Sequence, residues 1–293
     1  MKVTIAGAGI GGLTTALALA EAGHDVRVYE AVEDIQPLGV GINLLPHAAR
    51  ILQGLGVLDD LLARGIATRE LAYFNRHGQQ IWTEPRGLFA GFDAPQVSIA
   101  RGDLQETLLA HACRRLDDAR IVTGQRLTAF RTVDGQAIAT FQSPAGAETD
   151  ISSDILVCAD GIHSAEDQKF VCYPIEPVRE DGLQRINWIA ELRRPLMRNR
   201  EDWNREGQTA EFLPAFESWD FGWLDVPGLL KSAERIYEYP MVDRDPVPSW
   251  TAGQVTLLGD AAHAMYPIGS NGASQAILDA DALEKAVAER TPA

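Results

Sequence analysis

The sequence is short of cysteine. Its three cysteines in 293 residues, Cys113, Cys158 and Cys172, are an odd number without framework spacing, which argues against a disulfide-stapled secreted protein. Cys158 lies inside the apolar run "DILVCAD" and reads as a buried, inert thiol. No stretch of 18 uninterrupted apolar residues occurs, so no membrane span is expected. Basic residues are scarce: 26 Lys and Arg stand against 41 Asp and Glu, for a net charge of −15. Phosphate contacts need clustered Lys and Arg, so neither nucleic acid nor anionic lipid is an expected partner. The six histidines are scattered without metal-ligand spacing, and no metal is assigned. Internal repeats and low-complexity segments are missing too.

What is there is a globular composition, 46% hydrophobic, long enough for one large or two modest domains. The start, "MKVTIAGAGIGGLTTALALAEA", has the lysine, apolar stretch and A-x-A of a signal peptide. Its glycines make a poor signal helix, and it runs straight into a second strand. It reads as the first unit of the fold, in a cytoplasmic protein.

That first unit carries chemistry. Val3 to Ala6 suits a buried parallel strand. Gly7-Ala8-Gly9-Ile10-Gly11-Gly12 then fits G-x-G-x-x-G, with a helix expected over 13–22 and a strand over "DVRVY" ending at Glu30. Gly7 permits the tight turn, Gly9 lets backbone approach a pyrophosphate, and Gly12 lets the helix lie on the strand. The helix start offers unpaired N–H groups and positive partial charge. Glu30 is spaced to accept hydrogen bonds from a ribose diol. The motif leaves NAD and FAD both open.

Further on, a helix is expected from Pro46 and a hairpin from "ELAYFN" and "QQIWTE", turning at His77-Gly78. "VSIA" reads as a strand, followed by a helix that Asp103 caps. "TVDGQAIA" has the Asp-Gly of a second hairpin. Five of the six tryptophans fall between 167 and 250, which suggests a packed aromatic core or a pocket for a flat ligand, with a core as the default. Two more segments have the character of the first: "DILVCADGIHSA", a strand ending in Asp160-Gly161, and "LLGDAAHAMYPIGSNGASQAI". In the latter a carboxylate, Asp260, sits at a strand tip beside a glycine-rich approach to a helix from about Gly272.

These three segments resemble the flavin-dependent aromatic hydroxylases of the para-hydroxybenzoate hydroxylase type. That family has an N-terminal G-x-G-x-x-G, a central Asp-Gly after a strand, and a Gly-Asp followed by P-x-G-x-x-G. Here they are Gly7/Gly9/Gly12, Asp160-Gly161, and Gly259-Asp260 with Pro267, Gly269 and Gly272. "PLGVGIN", "TEPRG", "SWDFGWLDV" and "YPMVDRDPVPSW" extend the likeness toward bacterial phenazine-1-carboxylate-type monooxygenases, over nearly the whole chain.

The resemblance implies an α/β fold: a Rossmann-like FAD-binding domain with a parallel sheet, helices and a small antiparallel sheet, interleaved with an antiparallel-sheet substrate domain. Residues 1–70, 99–166 and 251–293 would form the first, 71–98 and 167–250 the second. FAD would be the cofactor, NADH or NADPH a transient reductant, and O2 and a small aromatic molecule the substrates, in a monomer or homodimer. Catalysis is expected to be borne by the flavin, with no general base named. Gly7, Gly9, Gly12 and Glu30 would hold the adenosine half. Val40, Gly41 and Arg101 would contact the flavin, with a surface ion pair as the plain alternative for Arg101. Asp160 would bind reductant or flavin, or cap a turn. Asp260 would face the ribityl hydroxyls, and Pro267, Gly269, Gly272, Ala273 and Ser274 the ring. His47 and Tyr266 are pocket candidates, with packing an equal alternative.

Other functions stay open. A flavin halogenase would carry W-x-W-x-I-P, and "WDFGWLDVP" has the wrong spacing. An FAD dehydrogenase or reductase, or a nucleotide-binding protein without catalysis, would share the first motif. One departure from the family stands out. Its Asp-Gly motif continues with Ser, then Arg and further strands, whereas Ser164 here is followed at once by "AEDQKFVCYP". The expectation is a closed-up gap at Ala165–Glu166; a real deletion there would instead leave the substrate domain incomplete. A bonded pair, with Cα atoms about 3.8 Å apart, would contradict the gap.

Overall fold

The computed structural model describes residues 1–35, 40–159, 169–192, 205–219, 221–238, 247–265 and 271–290. The N-terminal part comprises β1 (Lys2–Ala6), α1 (Ile10–Glu21), β2 (Asp25–Tyr29), β3 (Gly41–Leu44), α2 (Pro46–Gly54), α3 (Leu58–Arg64), β4 (Ile66–Ala67), β5 (Glu70–Phe74), β6 (Gln80–Pro85), β7 (Val97–Ala100) and α4 (Arg101–Leu116). The middle is strand-rich: β8 (Ile121–Val122), β9 (Arg126–Val133), β10 (Gln136–Gln142), β11 (Glu148–Ser153), β12 (Ile155–Cys158), β13 (Lys169–Pro174) and β14 (Ile186–Glu191). The last part holds α5 (Thr209–Phe212), α6 (Val226–Lys231), β15 (Thr251–Ala252), β16 (Val255–Leu257), α7 (Asp260–His263) and α8 (Gly272–Arg290).

The main sheet has the order β15-β16-β12-β1-β2-β8. It is parallel apart from β15, which pairs antiparallel with β16. The short apolar runs at the start of the chain and in "DILVCAD" are its two central strands, buried on both faces as a parallel sheet requires. One face is covered by helices. Val3, Ile5, Leu13, Leu17, Val28, Leu104, Leu108 and Ile277 share one core there, and α1 packs on both α4 and α8. The other face is covered by the meander β9-β10-β11. Tyr29 stacks on Phe141 at 4.3 Å between ring centroids, beside Ala137, Ala139 and Cys158. Burial of Cys158 agrees with its reading as an inert thiol.

The hairpins form as expected, with Gly78 at φ +72° and the Asp134-Gly135 turn at +50° and +78°. Several boundaries need correction. Helix α1 begins at Ile10, because Gly9 already has extended N-cap geometry. Helix α4 begins at Arg101, with Ala100 at its N-cap, so Asp103 lies in the first turn and caps nothing. Strand β11, which lacks an apolar alternation, was not expected.

A third core lies outside the main sheet. Phe216, Val226 and Leu230 are buried among Phe170, Trp188, Trp219 and Phe221. Trp188 and Trp219 thus pack as expected, whereas Trp223 and Trp250 are about half exposed, at 59% and 47%. Two short antiparallel pairs, β5-β6 and β13-β14, and the three-stranded sheet β3-β7-β4 complete the described strands. The Ala165–Glu166 joint lies outside the described residues.

Candidate cofactor and substrate site

The glycine loop after β1 is built by contacts that exclude side chains. Gly7 has φ +110°. A Cβ on Gly12 would lie 2.0 Å from the Gly7 carbonyl oxygen, so α1 sits on the turn only because Gly12 has none. Gly9 differs: a Cβ there would meet nothing within 4 Å. It faces open space at the start of α1, where first-turn N–H groups have no intrahelical acceptor. Gly11, to which the sequence reading gave no role, packs against Leu258 and Ala276, with a Cβ only 2.7 Å from the Leu258 side chain.

Glu30 stands at the end of β2. Its Oε2 accepts a hydrogen bond from the Ala8 N–H at 2.7 Å and its Oε1 one from Val32 at 3.1 Å. It braces the loop, and each oxygen keeps a lone pair for a further donor. Gln105 on α4 braces the same loop by donating to the Ala8 carbonyl at 2.9 Å. No local sequence signal marked Gln105, since its partner is 97 positions away.

Gly259 turns the chain at φ +62° after β16, so Asp260 opens the short α7 rather than ending the strand. Asp279 on α8 holds this turn, accepting from the Gly259 N–H at 2.8 Å and pairing with His263 Nε2 at 2.6 Å. Asp260 lies beside the start of α8: a Cβ on Gly272 would be 3.6 Å from its Oδ1. Burial pushes the Asp260 carboxyl above the usual range, while His263 and Arg101 pull it down and Asp279 adds to the rise. Ala273 and Ser274 fall in the first turn of α8, and the Ser274 hydroxyl accepts from the Leu45 N–H at 3.0 Å.

Arg101 joins this group from α4 through its effect on Asp260, and its N–H donates to the Val40 carbonyl at 2.7 Å. The next residue, Gly41, donates its N–H to Asn187 Oδ1 at 2.6 Å. A Cβ there would collide with Asn187 and Ile175 at 2.5–2.8 Å. Gly41 is thus the point where β14 meets β3. His47 lies in the first turn of α2, its Nε2 shielded without a partner among the described residues. Burial and then Arg50 hold it below the usual histidine range. Asp160, Tyr266, Pro267 and Gly269 lie outside the described residues.

Helix termini, a tight glycine turn, open space at Gly9 and the Asp260 carboxylate fit a long, anionic, hydroxyl-rich cofactor. A family model described as an FAD-binding domain matches residues 1–190 and 169–291. The chain belongs to the FAD-dependent aromatic monooxygenases. A phenazine 1,6-dicarboxylic acid hydroxylase of Lysobacter antibioticus is 42% identical to it, over 96% of this chain and 81% of the relative. A 3-amino-4-hydroxybenzoate 2-monooxygenase of Streptomyces platensis is 30% identical over 95% and 77%. This flavin monooxygenase also shares its fold with solved structures. CtdE in complex with FAD and a substrate superposes at a TM-score of 0.78, with 18% identity over 97% of this chain and 80% of that one. Klebsiella pneumoniae HpxO complexed with FAD and uric acid does so at 0.72, with 24% identity over 100% and 80%.

The alignment to the Lysobacter hydroxylase spans 329 positions, but this chain has 293 residues. The difference, 329 less 293, leaves at least 36 positions of the relative without a counterpart. The two family matches overlap at 169–190 instead of running through. Among the described residues β13 and β14 pair as two strands.

Proposed function

We propose that the enzyme uses NADH or NADPH and O2 to hydroxylate a phenazine-like or other electron-rich aromatic acid, with or without loss of a carboxyl group. The observation that carries this reading is the 42% identity, over 96% of the chain, to a relative that hydroxylates phenazine 1,6-dicarboxylic acid. Residues 1–70, 99–166 and 251–293 serve FAD in this reading, and 71–98 and 167–250 serve the substrate. The reaction without decarboxylation balances as ArH + O2 + NAD(P)H + H⁺ giving ArOH + H2O + NAD(P)⁺.

Bound FAD supplies the redox chemistry, accepting two electrons from the nicotinamide and activating O2. The chain supplies position. Gly9 and the first turn of α1 take the pyrophosphate, and Gly7 and Gly12 make that approach possible. Glu30 takes the adenosine ribose with the lone pairs that Ala8 and Val32 leave free. Asp260 accepts from ribityl hydroxyls. The N–H groups of Ala273 and Ser274, with the positive end of α8, face the ring edge that gains negative charge on reduction. Val40, Gly41 and Arg101 close the opposite side. Asp160, Pro267 and Gly269 belong to the same reading, as do His47 and Tyr266 for the substrate and a cytoplasmic monomer or homodimer for the whole.

The test is an assay of the purified holoprotein over a panel of aromatic acids that includes phenazines. The expected outcome is acid-dependent NAD(P)H oxidation with a product heavier by one oxygen, or with a carboxyl replaced by OH. Reductant oxidation with no organic product from any acid contradicts it.

A further inference from the structure

Strands β13 and β14 have two faces of different character. Phe170, Trp188 and Ala190 point to the aromatic core. Residues directly opposite in an antiparallel pair share a face, and Tyr173 is opposite Asn187. Their face is turned to β3 and β7, since Asn187 meets Gly41 and β13 packs on β7.

Asn187 is 8% exposed. The Gly41 N–H needs an acceptor and Oδ1 supplies it, which fixes the orientation of the amide. Nδ2 must then point the other way, where it has no hydrogen-bond partner among the described residues. Buried amide donors are rarely left so. Beside it is the Tyr173 hydroxyl. Burial pushes this phenol up to about 12, and the nearby Asn187 amide lowers it in part, although no hydrogen bond of good geometry joins Nδ2 to it. The phenol is therefore a neutral O–H donor at physiological pH. On the strands that this face is turned to, Asn43 Oδ1 accepts from Ser98 at 2.6 Å and Ser98 meets Thr68 at 2.6 Å.

We propose that Asn187 Nδ2 and the Tyr173 hydroxyl form a neutral two-donor site that takes a carboxylate of the aromatic substrate. Two adjacent donors suit an acceptor-only group with two oxygens. The site rests on the aromatic-acid reading above, and it makes Asn187 and Tyr173 determinants of specificity for acids over unsubstituted rings. Because Asn187 also holds Gly41, substrate capture is tied mechanically to the β3 loop.

The experiment compares Tyr173→Phe and Asn187→Asp with the wild-type holoenzyme. Asn187→Asp keeps an acceptor for Gly41 but replaces the donor. Binding of phenazine-1,6-dicarboxylic acid and of unsubstituted phenazine is read from the change in flavin absorbance, and FAD affinity is measured separately. The acid is expected to bind at least about tenfold more weakly to each variant, and more so to Asn187→Asp, with phenazine binding and FAD affinity within about twofold of wild type. Equal weakening for acid and phenazine, or loss of FAD affinity alone, would overturn the proposal, as would unchanged binding of the acid. If wild type itself binds FAD but no aromatic acid, the substrate reading fails instead.

Discussion

Gly9 and Gly12 belong to one motif but have opposite physical demands. Gly12 has no room for a Cβ, which would press on the Gly7 carbonyl at 2.0 Å. Gly12→Ala is expected to cost about 1–3 kcal/mol in urea unfolding, as overpacking does. Gly9 has φ −75° and open space, so Gly9→Ala is expected to leave the melting temperature of the FAD-free chain unchanged. FAD affinity should nevertheless fall about tenfold or more, because the new methyl occupies the approach to the pyrophosphate. A drop in apo-protein melting temperature for Gly9→Ala would show that the residue serves the fold instead. Asp260 makes a prediction with a definite sign. Its folded value is raised above 3.8 by burial, so the folded chain binds this proton more tightly than the unfolded one. Its contribution to stability is fully present below about 3.8 and declines as pH rises through the folded value. The FAD-free Asp260→Asn variant should therefore match wild type at the acid end and gain on it toward neutral pH, while losing FAD affinity. Equal pH profiles in thermal melts would contradict this.

Among the elements, what was legible in the sequence was local. The Gly7–Gly12 loop, both hairpins and the two buried parallel strands are written in consecutive residues, because a turn or a strand is decided by its own dihedrals and period. The helix of "LQETLLAHACRRL" was found but its start was misread, since Asp103 looks like a cap while Arg101 and Gly102 already have helical geometry. The clamp between α7 and α8 was not legible. Asp279 joins Gly259 and His263 from 20 and 16 positions away, and nothing in "ILDADAL" marks one aspartate over the other. Nor were Gln105 and Asn187, whose partners are 97 and 146 positions distant. Asp279→Ala strips the acceptor from two half-buried donors and is expected to cost about 1–3 kcal/mol in denaturant unfolding. Loss of the Gly259 turn should also weaken FAD binding. An effect on stability without one on FAD would separate the clamp from the cofactor site.

At the scale of the whole molecule, two glycine turns about 250 residues apart in sequence, at Gly7 and Gly259, are brought together by the order β16-β12-β1, which puts the turns after these strands at one end of the sheet. Open α/β sheets bind ligands outside the carboxyl ends of their strands. At least 36 positions of the Lysobacter relative have no counterpart here, and β13-β14 stands as a two-stranded pair among the described residues. Closing a site against water protects a reactive oxygen species from wasteful decay. The enzyme is therefore expected to release a larger fraction of consumed NAD(P)H as hydrogen peroxide than that relative does, measured as peroxide against hydroxylated product. The most direct test of the account is turnover under ¹⁸O2 with phenazine-1,6-dicarboxylic acid, followed by mass spectrometry. One ¹⁸O atom in the hydroxyl of the aromatic product is the predicted result. An unlabelled hydroxyl, or NAD(P)H consumption that yields only peroxide, would contradict it.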